Sequence, residues 1–442
     1  MTMLARNLKC HNCAKIFIFL KKIISSKEFI DRNRTSSTAF TRKRKLPFNT
    51  LIIFLINFVR GSYQDELDKF FKTVSRLDVA KRVVTKAALT KARAKLKYDA
   101  FIELNGHLIS YFEKHLSPRC WRGFRLLAID GSTTRLPIYD DIIDHFGTWK
   151  GRQGAPSPMA RISQLFDVLS KITIDAAIAP KNVGERQLAA ENHLLKLVPN
   201  DLLLLDRGYP AWWLFRLVLS QQANFCARIS CTKWKAVRKF YYSGKSEKIV
   251  DLPINASSKK PCAQWGLDIA PLKVRFVRIE RDGKVQVLIT SLLDRDLYPI
   301  EIFYDLYHCR WPVEEDYKAV KTRMELENFS GQSALSVHQD FHAKIFYKNL
   351  VSILAIPARR AIEMDVGTCK HAYQINFTYA LSQCKGVIAL MFHKTHSRVK
   401  RMVADLCELF QRTVEPIRTG RTYPRNHKVK PRKFSLKYKP IG

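Results

Sequence analysis

The residues of this sequence best suited to chemistry include two aspartates that stand in the same sequence context. Asp130 and Asp206 each follow a short apolar run, over 126–129 and 202–205, and each precedes a turn that contains glycine. Such runs predict buried strands, and strand ends in an open sheet are where side chains from distant segments meet in one crevice. Because aspartate beside glycine is also an ordinary turn pair, capping a turn is the alternative role for each.

A third carboxylate belongs to a group of four polar residues that are spaced for one face of a helix. The four, at offsets of 0, 3, 7 and 14 residues, are Tyr307, Arg310, Glu314 and Lys321. At about 100° per residue, a single helix over 300–326 would present all four along one stripe. The carboxylate of such a stripe can bind a divalent cation while the cations and the phenol hold phosphate oxygens. Pro312 predicts a bend in the stripe, and a solvated face with helical ion pairs is the alternative interpretation.

The elements that must position these residues change in character along the chain. Apolar residues recur at helical spacing up to about residue 115, and the stretch 83–111 adds a basic face. From about residue 125 the pattern predicts strands at 160–168 and 172–178, then helices at 185–198 and from Pro210 onward. We therefore predict an α/β fold with a mixed sheet flanked by helices.

The second half of the chain contains an interruption of this pattern. Residues 231–290 hold short alternating runs with a turn signal at 281–284, which predicts an inserted β-rich segment with a hairpin. A second long helix is predicted at 337–356, with Pro357 ending or kinking it. The chain closes with a basic tail at 418–439 that contains no acidic residue and is suited to tracking phosphates.

Composition narrows the function to classes that bind a polyanion. The 442 residues are 46% hydrophobic and 11% aromatic, which excludes a disordered or fibrous protein. The 76 lysines and arginines exceed the 39 acidic residues by 37, so nucleic acid or an anionic membrane is the expected partner. No apolar run approaches the ~20 residues that a membrane-spanning helix needs. The N-terminal residues also lack the apolar core of a signal peptide. We therefore expect an intracellular nucleic-acid protein without membrane contact.

The ten cysteines do not form a disulfide framework. Only Cys10 and Cys13 have a ligand-like spacing, and no second pair lies near them in the sequence. A structural zinc site needs about four ligands, so reduced thiols in a reducing cytoplasm are the favoured interpretation. The role of this pair is left open.

The spacing of the stripe also carries a resemblance to a known family. Tyr307-x2-Arg310-x3-Glu314-x6-Lys321, with Trp311 after the arginine, resembles the tyrosine–arginine–glutamate–lysine signature of DDE transposases from bacterial insertion sequences, of the insertion-sequence-four-like family. The segments 129–132 and 205–209 resemble those that carry the two aspartates of the family, and 288–291 resembles the strand before the glutamate helix. The resemblance extends from about residue 36 to about residue 365.

This resemblance implies a ribonuclease-H-like catalytic core with a β insertion between the second aspartate and the glutamate. The basic face of the helical N-terminal residues predicts a DNA-binding module there, with a solvated charged face as the alternative. The domains so predicted are 1–115 (helical, DNA ends), 116–230 (first part of the core), 231–290 (β-rich insertion), 291–375 (second part of the core) and 376–442 (C-terminal helices and basic tail).

The resemblance further implies a role for each site residue. Asp130, Asp206 and Glu314 would be the catalytic residues and would hold two Mg²⁺ ions, for which Mn²⁺ can substitute, with Asp130 bridging both. The phosphates of the DNA end would be bound by Tyr307, Arg310 and Lys321. Relatives that pass through a DNA hairpin flip a base against a tryptophan of the insertion, for which Trp234 and Trp265 are candidates here, with insertion-core packing as the alternative.

The expected partner is double-stranded DNA, both the terminal repeats of the element and its target. A homodimer on DNA, in the bacterial cytoplasm with the nucleoid, is the corresponding expectation. Two other functions remain open: a metal-dependent DNA nuclease on the same core, and a non-enzymatic basic DNA-binding protein. The basic N-terminal helical region (1–115) and the basic tail (418–439) count against a plain nuclease, because such an enzyme does not need to recognise specific DNA ends.

Overall fold

The chain divides into two compact units, each of which combines distant parts of the sequence. The computed structural model describes residues 3–57, 60–150, 156–232, 234–281, 283–364 and 372–417. The first unit comprises Met1–Ser117, Thr134–Met159 and Lys318–Gly442. The second comprises Pro118–Thr133 and Ala160–Tyr317. The basic tail predicted at 418–439 lies outside the described residues.

The largest element of regular structure is a nine-stranded mixed sheet. Its strands are β1 (Arg125–Arg135), β2 (Thr148–Trp149), β3 (Ser157–Asp167), β4 (Ile172–Pro180), β5 (Asp201–Leu205), β6 (Asn224–Ile229), β7 (Glu247–Leu252), β8 (Leu272–Arg281) and β9 (Lys284–Thr290). They follow the order β2–β3–β1–β5–β6–β9–β8–β7, and β4 pairs with β3. The pairs β1–β5 and β5–β6 are parallel, whereas β3–β4, β6–β9, β8–β9 and β7–β8 are antiparallel. This arrangement confirms the predicted mixed sheet and agrees with a ribonuclease-H-like core.

Eighteen α-helices are described. They are α1 (Met3–Ile24), α2 (Lys27–Asn33), α3 (Phe48–Ile56), α4 (Tyr63–Ser75), α5 (Lys86–Arg93), α6 (Asp99–His115), α7 (Asp140–Phe146), α8 (Glu185–Leu188), α9 (Trp212–Ser220), α10 (Lys235–Tyr242), α11 (Ala256–Gln264), α12 (Ile302–His308), α13 (Pro312–Lys318), α14 (Ala334–Leu354), α15 (Ile356–Met364), α16 (Phe377–Cys384), α17 (Val387–Met391) and α18 (His396–Arg412). Two π-helical segments (Ala189–His193 and Ala319–Arg323), a 3-10 turn (Leu194–Lys196) and a small sheet of β10 (Tyr373–Ile375) and β11 (Val414–Pro416) complete the described structure. No described helix is long and apolar enough to cross a membrane.

The central strands form where the sequence is apolar without interruption. All five residues of β5 are buried, as are positions 126–129 of β1, so side chains on both faces of these strands are covered. Continuous apolar runs of this kind are typical of parallel strands with helices on both faces. The predicted hairpin between 160–168 and 172–178 is confirmed as the antiparallel pair β3–β4, with Lys171 in the left-handed region at φ 62°.

The predicted insertion at 231–290 does not form a sheet of its own. Its strands β7, β8 and β9 extend the central sheet, because β9 pairs with β6. Helix α10 precedes β7 in the chain, and α11 lies between β7 and β8. Unpaired backbone groups at the edge of β6 would otherwise remain available to other chains, and the pairing satisfies them. The predicted turn joins β8 to β9 through Gly283, at φ 68°, while Asp282 lies outside the described residues.

The first unit is helical and is organised around α14. Nearly every residue of this 21-residue helix is buried, and it contacts α3, α6 and α16. The chain leaves the helix at Ala355 and starts α15 at Ile356, with Pro357 in the first turn, which confirms the predicted break. Helix α1 packs against α18, so N-terminal and C-terminal helices share this unit. The five domain boundaries predicted from the sequence remain predictions.

A buried ion pair holds the starts of β1 and β5 in register. The guanidinium of Arg125 donates from Nε and Nη2 to the two carboxylate oxygens of Asp201, at 2.7 and 2.9 Å. The two residues face each other in the parallel pairing, and the side chain of Asp201 is only 1% exposed. The same carboxylate accepts the backbone N–H of Val198 at 2.9 Å.

We expect Asp201→Ala to lower the free energy of unfolding by about 3–5 kcal/mol, because it removes the buried carboxylate that binds both the largely buried guanidinium of Arg125 and the backbone N–H of Val198. Glu408→Ala, which breaks the exposed ion pair with Arg412, serves as the control and should change stability little. Urea denaturation of the full-length variants measures both effects. Equal losses in the two variants would contradict the assigned role of Asp201.

Candidate active site

Asp130 and Asp206 belong to the neighbouring parallel strands β1 and β5: Asp130 lies within β1, and Asp206 directly follows β5. The turn predicted at 130–132 does not form, because β1 continues through these residues to Arg135. Arg125 pairs with Asp201 and Ala128 pairs with Leu204, a constant offset of 76 positions along the parallel strands. The pairing ends at Ala128 and Leu204, and Asp130 and Asp206 each lie two residues further along the chain. Both side chains are partly exposed. The negative charge of Asp206 contributes to the raised pKa of Asp130, which agrees with the convergence predicted from their shared sequence context.

Asp130 occupies the more enclosed of the two positions. Its backbone carbonyl accepts hydrogen bonds from the Tyr317 hydroxyl at 2.8 Å and from Ser163 Oγ at 3.4 Å. The pKa of the Asp130 carboxyl is raised to about 6, chiefly by burial and also by the negative charges of Glu314 and Asp206, whereas a backbone hydrogen bond from Gly131 and the charge of Arg310 lower it. The pKa shift therefore reports that the other two carboxylates act on Asp130 electrostatically.

Asp206 combines its place at the strand end with a turn-capping role. Its Oδ1 accepts the backbone N–H of Gly208 at 2.8 Å, so the turn interpretation drawn from the sequence holds in part. The Gly208 carbonyl in turn accepts hydrogen bonds from Nε and Nη2 of Arg186, at 3.0 and 2.6 Å. The turn after β5 is thus held from both sides, which limits the movement of the aspartate.

The predicted single helix over 300–326 is wrong. The structure has α12 up to His308, a connection at 309–311, and α13 from Pro312. Proline has no N–H to donate and its ring clashes with the carbonyl four residues earlier, so the chain leaves the first helix and starts a second one at Pro312. The four residues of the predicted stripe therefore lie on different elements.

Tyr307, Arg310 and Glu314 nevertheless lie close together in the second unit. Arg310 Nη2 donates to Glu314 Oε1 at 2.5 Å, and the guanidinium lies 5.8 Å from the centre of the Tyr307 ring. The Arg310 side chain is 10% exposed and that of Glu314 is 25% exposed. Burial raises the pKa of the Tyr307 phenol to about 12, although the charge of Arg310 acts in the opposite direction. Tyr307 therefore keeps its proton at neutral pH.

Lys321 follows α13 in the sequence but does not belong to that helix. It lies in the π-helical segment Ala319–Arg323 of the first unit. A π-helical turn contains more residues than an α-helical turn, so the regular angular spacing assumed for the stripe does not extend to Lys321.

The three carboxylates suit a divalent cation by their chemistry. Carboxylate oxygens are the hard ligands that Mg²⁺ prefers. The raised pKa of Asp130 shows that negative charge accumulates at the site, and a cation would relieve it. In this conformation Glu314 is directed to Arg310, and within the described ranges no three His, Cys, Asp or Glu side chains are arranged as metal ligands. The donor set therefore fits, although the ligand group is not assembled here.

Comparison with known proteins assigns the family. Residues 121–350 match the family model described as a transposase DDE domain, a range that covers more than half of the chain. The chain belongs to this family of DDE transposases. Over 407 residues it is 23% identical to transposase InsG for insertion sequence element IS4 of Escherichia coli K12, covering 90% of this chain and 89% of the relative. It is also similar to the cryo-EM structure of a piggyBac transposase synaptic complex with hairpin DNA, at a TM-score of 0.41 and 8% identity, over 88% of this chain and 85% of the other.

Membership confirms the resemblance seen in the sequence and makes the chain an enzyme that cuts and transfers DNA. Members of this family generally use divalent metal ions.

A fourth carboxylate, that of Glu185, lies near Asp130 in this transposase and has no recognisable sequence signal. A side chain at Gly131 would place its Cβ 3.2 Å from Glu185 Cδ, so the two residues approach each other closely. Glu185 forms an ion pair with Arg161, whose side chain is 18% exposed. Glu185 is the first residue of α8 and belongs to no recognisable motif, and only the approach of β1 to that helix reveals it.

The remaining sequence candidates have structural environments. Trp234 and Trp265 both pack against the core of the second unit, and Trp234 makes an edge contact with Phe215 at 6.1 Å. Cys13 is fully buried with Sγ 3.6 Å from the Ile353 carbonyl oxygen, and Cys10 is buried beside it in α1. These environments agree with the core-aromatic and free-thiol interpretations.

The pKa of Asp130 predicts a specific pH dependence of stability in the presence of EDTA. Its folded-state value of about 6 exceeds the ordinary 3.8, so the native state retains a proton that the unfolded state releases. Relative to Asp130→Asn, which does not titrate, the wild type should lose stability as pH rises from about 4 to about 6, by about 3 kcal/mol at most. Denaturant unfolding of both proteins at four pH values measures the difference, and parallel curves would contradict the assignment.

Proposed function

We propose that this transposase binds the ends of its own insertion sequence and catalyses metal-dependent DNA cleavage and strand transfer there. The observation that supports this best is the parallel pairing of β1 with β5, the two strands that lead to Asp130 and Asp206. The effect of Glu314 on the pKa of Asp130 supports its place as the third carboxylate. Three carboxylates at the end of a mixed sheet are a suitable site for phosphoryl transfer.

Asp130, Asp206 and Glu314 would hold two Mg²⁺ ions, or Mn²⁺ in their place, with Asp130 shared between them. A bound pair of this kind activates the attacking oxygen and stabilises the charge of the leaving oxygen. The task of the chain is to hold the three carboxylates at fixed strand and helix positions. The backbone bonds around Asp130 and the turn around Asp206 support that task.

Phosphate oxygens of the DNA end would be held by Tyr307, Arg310 and Lys321. Arg310 Nε is buried and has no hydrogen-bond partner, so one donor of this guanidinium is unsatisfied beside Glu314. A buried unsatisfied donor is costly, and a phosphate oxygen is the partner that arginine binds best. Tyr307 supplies a neutral hydroxyl, and Lys321 would add a point charge.

Two reactions would follow in one site. Water attacks the phosphorus at the element end, so a bond to the water oxygen forms, the bond to the 3′ oxygen breaks and that oxygen takes up a proton. The released 3′ hydroxyl then attacks a phosphorus of the target strand, which joins element to target and releases a new 3′ hydroxyl. Neither reaction requires a covalent bond to the enzyme, so the chain needs no nucleophilic side chain.

Charge on the first unit supports a role in binding DNA. Helices α1 and α18 meet where the rings of His11 and His396 lie 5.1 Å apart. Burial lowers the pKa of His11, and the positive charges of Lys15, His396 and Lys400 lower it further, which indicates a concentration of cations. We infer that this α1–α18 surface, defined by Lys15 and Lys400, contacts phosphates of double-stranded DNA. Two copies of the chain would act together, as a homodimer, on the two DNA ends of the element. They would do so in the bacterial cytoplasm, at the nucleoid.

We expect Asp130→Ala, Asp206→Ala and Glu314→Ala each to abolish strand cleavage while leaving end binding nearly intact, because binding comes mostly from phosphate contacts elsewhere. The assay uses purified full-length protein, Mg²⁺ and DNA that carries the element's own ends, with cleavage and band shift measured in parallel. Asp251→Ala, at an exposed position of β7, is the control and should cleave normally. Cleavage at wild-type rate in any of the three would remove that residue from the site.

Charge reversal of the α1–α18 surface, Lys15→Glu with Lys400→Glu, should weaken DNA binding and make it less salt-dependent. Each lost phosphate contact reduces the slope of log affinity against log salt by about 0.9. The matched control is Lys248→Glu with Lys273→Glu, which makes the same change of charge at exposed positions of β7 and β8. Equal weakening in both double variants would mean that net charge, rather than this surface, sets the affinity.

A further inference from the structure

A hydroxyl on the glutamate helix reaches the strand that carries the first aspartate. Helix α13 holds Glu314 and, three residues later, Tyr317, whose side chain is buried. The Tyr317 hydroxyl lies between two backbone carbonyl oxygens, that of Asp130 at 2.8 Å and that of Ile162 at 3.5 Å. The shorter contact is a good hydrogen bond, and it joins positions 187 residues apart in the sequence.

The same helix is fixed to the sheet at a second point. The Asp316 carboxylate accepts a hydrogen bond from Nε2 of Gln164 at 3.0 Å. The side-chain carbonyl oxygen of Gln164 accepts a hydrogen bond from the Thr173 hydroxyl at 3.1 Å. All three side chains are buried, so this chain of bonds anchors α13 to β3 and β4. The anchor determines where the helix lies, and Tyr317 on the same helix contacts the backbone of a candidate catalytic residue.

A buried serine, histidine and aspartate support the same carbonyl from the other side. Ser163 Oγ lies 3.4 Å from the Asp130 carbonyl oxygen and 2.9 Å from His193 Nε2, and His193 Nδ1 lies 2.6 Å from Asp175 Oδ2. The three residue types match a hydrolase triad, but Ser163 is 1% exposed and His193 is 0% exposed, so no substrate reaches them. Their position indicates structural support for the Asp130 backbone in the middle of β1.

We propose that Tyr317 is a positioning residue: its hydroxyl sets the spacing between Asp130 and Glu314, and so the affinity of the carboxylate site for divalent cations. This inference rests on the proposed function, because it takes these two carboxylates as ligands. Metal sites depend on the groups that orient their ligands, and loss of such a group typically weakens metal affinity by about 10–100-fold. A hydroxyl that joins the two ligand-bearing elements has this effect on both ligands at once.

The test is Tyr317→Phe in the full-length chain, which removes one oxygen and leaves the packed ring. Electron paramagnetic resonance measures Mn²⁺ binding in the absence of DNA. The affinity of the variant should be at least about 10-fold weaker than that of the wild type. Raising the Mn²⁺ concentration should restore cleavage of the DNA ends, because the missing step is occupation of the site.

The matched control is Tyr347→Phe in α14. Tyr347 is also buried, and its hydroxyl also donates to a backbone carbonyl, that of Leu381, at 2.5 Å, but in the first unit. This variant removes the same kind of bond and should bind Mn²⁺ with wild-type affinity. Ser163→Ala removes the longer contact to the Asp130 carbonyl, so its Mn²⁺ affinity should lie between those of the wild type and Tyr317→Phe.

Three results would overturn the inference. One is wild-type Mn²⁺ affinity in Tyr317→Phe, even if cleavage falls. Another is an equal loss in Tyr317→Phe and Tyr347→Phe, which would mean general loosening of the fold. The third is equal Mn²⁺ binding by the wild type and Glu314→Ala, which removes the proposed metal ligand itself. That third comparison does not involve Tyr317, so it separates failure of the proposed function from failure of this inference.

Discussion

The parallel pairing of β1 with β5 is the constraint on which the site depends. Side chains of a strand alternate between its two faces, so a slip of one residue would turn one aspartate away from the other. The ion pair of Arg125 with Asp201 opposes such a slip at the starts of the strands, and their buried apolar middles oppose it along their length. The distance between the ion pair and the carboxylates is five residues on both strands, so register at one end determines geometry at the other.

Pro312 makes the corresponding contribution on the helical side. Because it ends the predicted continuous helix and begins α13, it places Glu314, Asp316 and Tyr317 on one short helix of their own. A short helix has little stability in isolation and takes its position from tertiary contacts. Here those contacts are buried bonds to Gln164 and to the Asp130 carbonyl, so the third carboxylate is positioned by the same strands that carry the first.

The extent to which sequence predicted this structure follows from which interactions are local. The strands, the β3–β4 hairpin and the break at Pro357 were predictable because apolar runs and turn residues report the conformation of their own segment. The helix over 300–326 was wrong because periodicity alone does not show whether a proline bends a helix or starts another. Pairing of the insertion with β6, the approach of Glu185 to Gly131 and the bond from Tyr317 join segments far apart, and no local pattern encodes them.

The electrostatics of the candidate site explain why three acids can share one edge of a protein with a net charge of +37. Like charges at short range oppose one another, and the fold limits that repulsion in two ways. The carboxyl of Asp130, with its pKa raised to about 6 chiefly by burial, ionises less readily, and the charge of Glu314 is balanced by Arg310. Both arrangements are reversible, because the Asp130 carboxyl can release its proton and the Arg310 guanidinium can leave Glu314 for another partner. The unbalanced negative charge of the candidate site is therefore reduced in the folded chain, yet the site can present three carboxylates and an arginine to cations and phosphates.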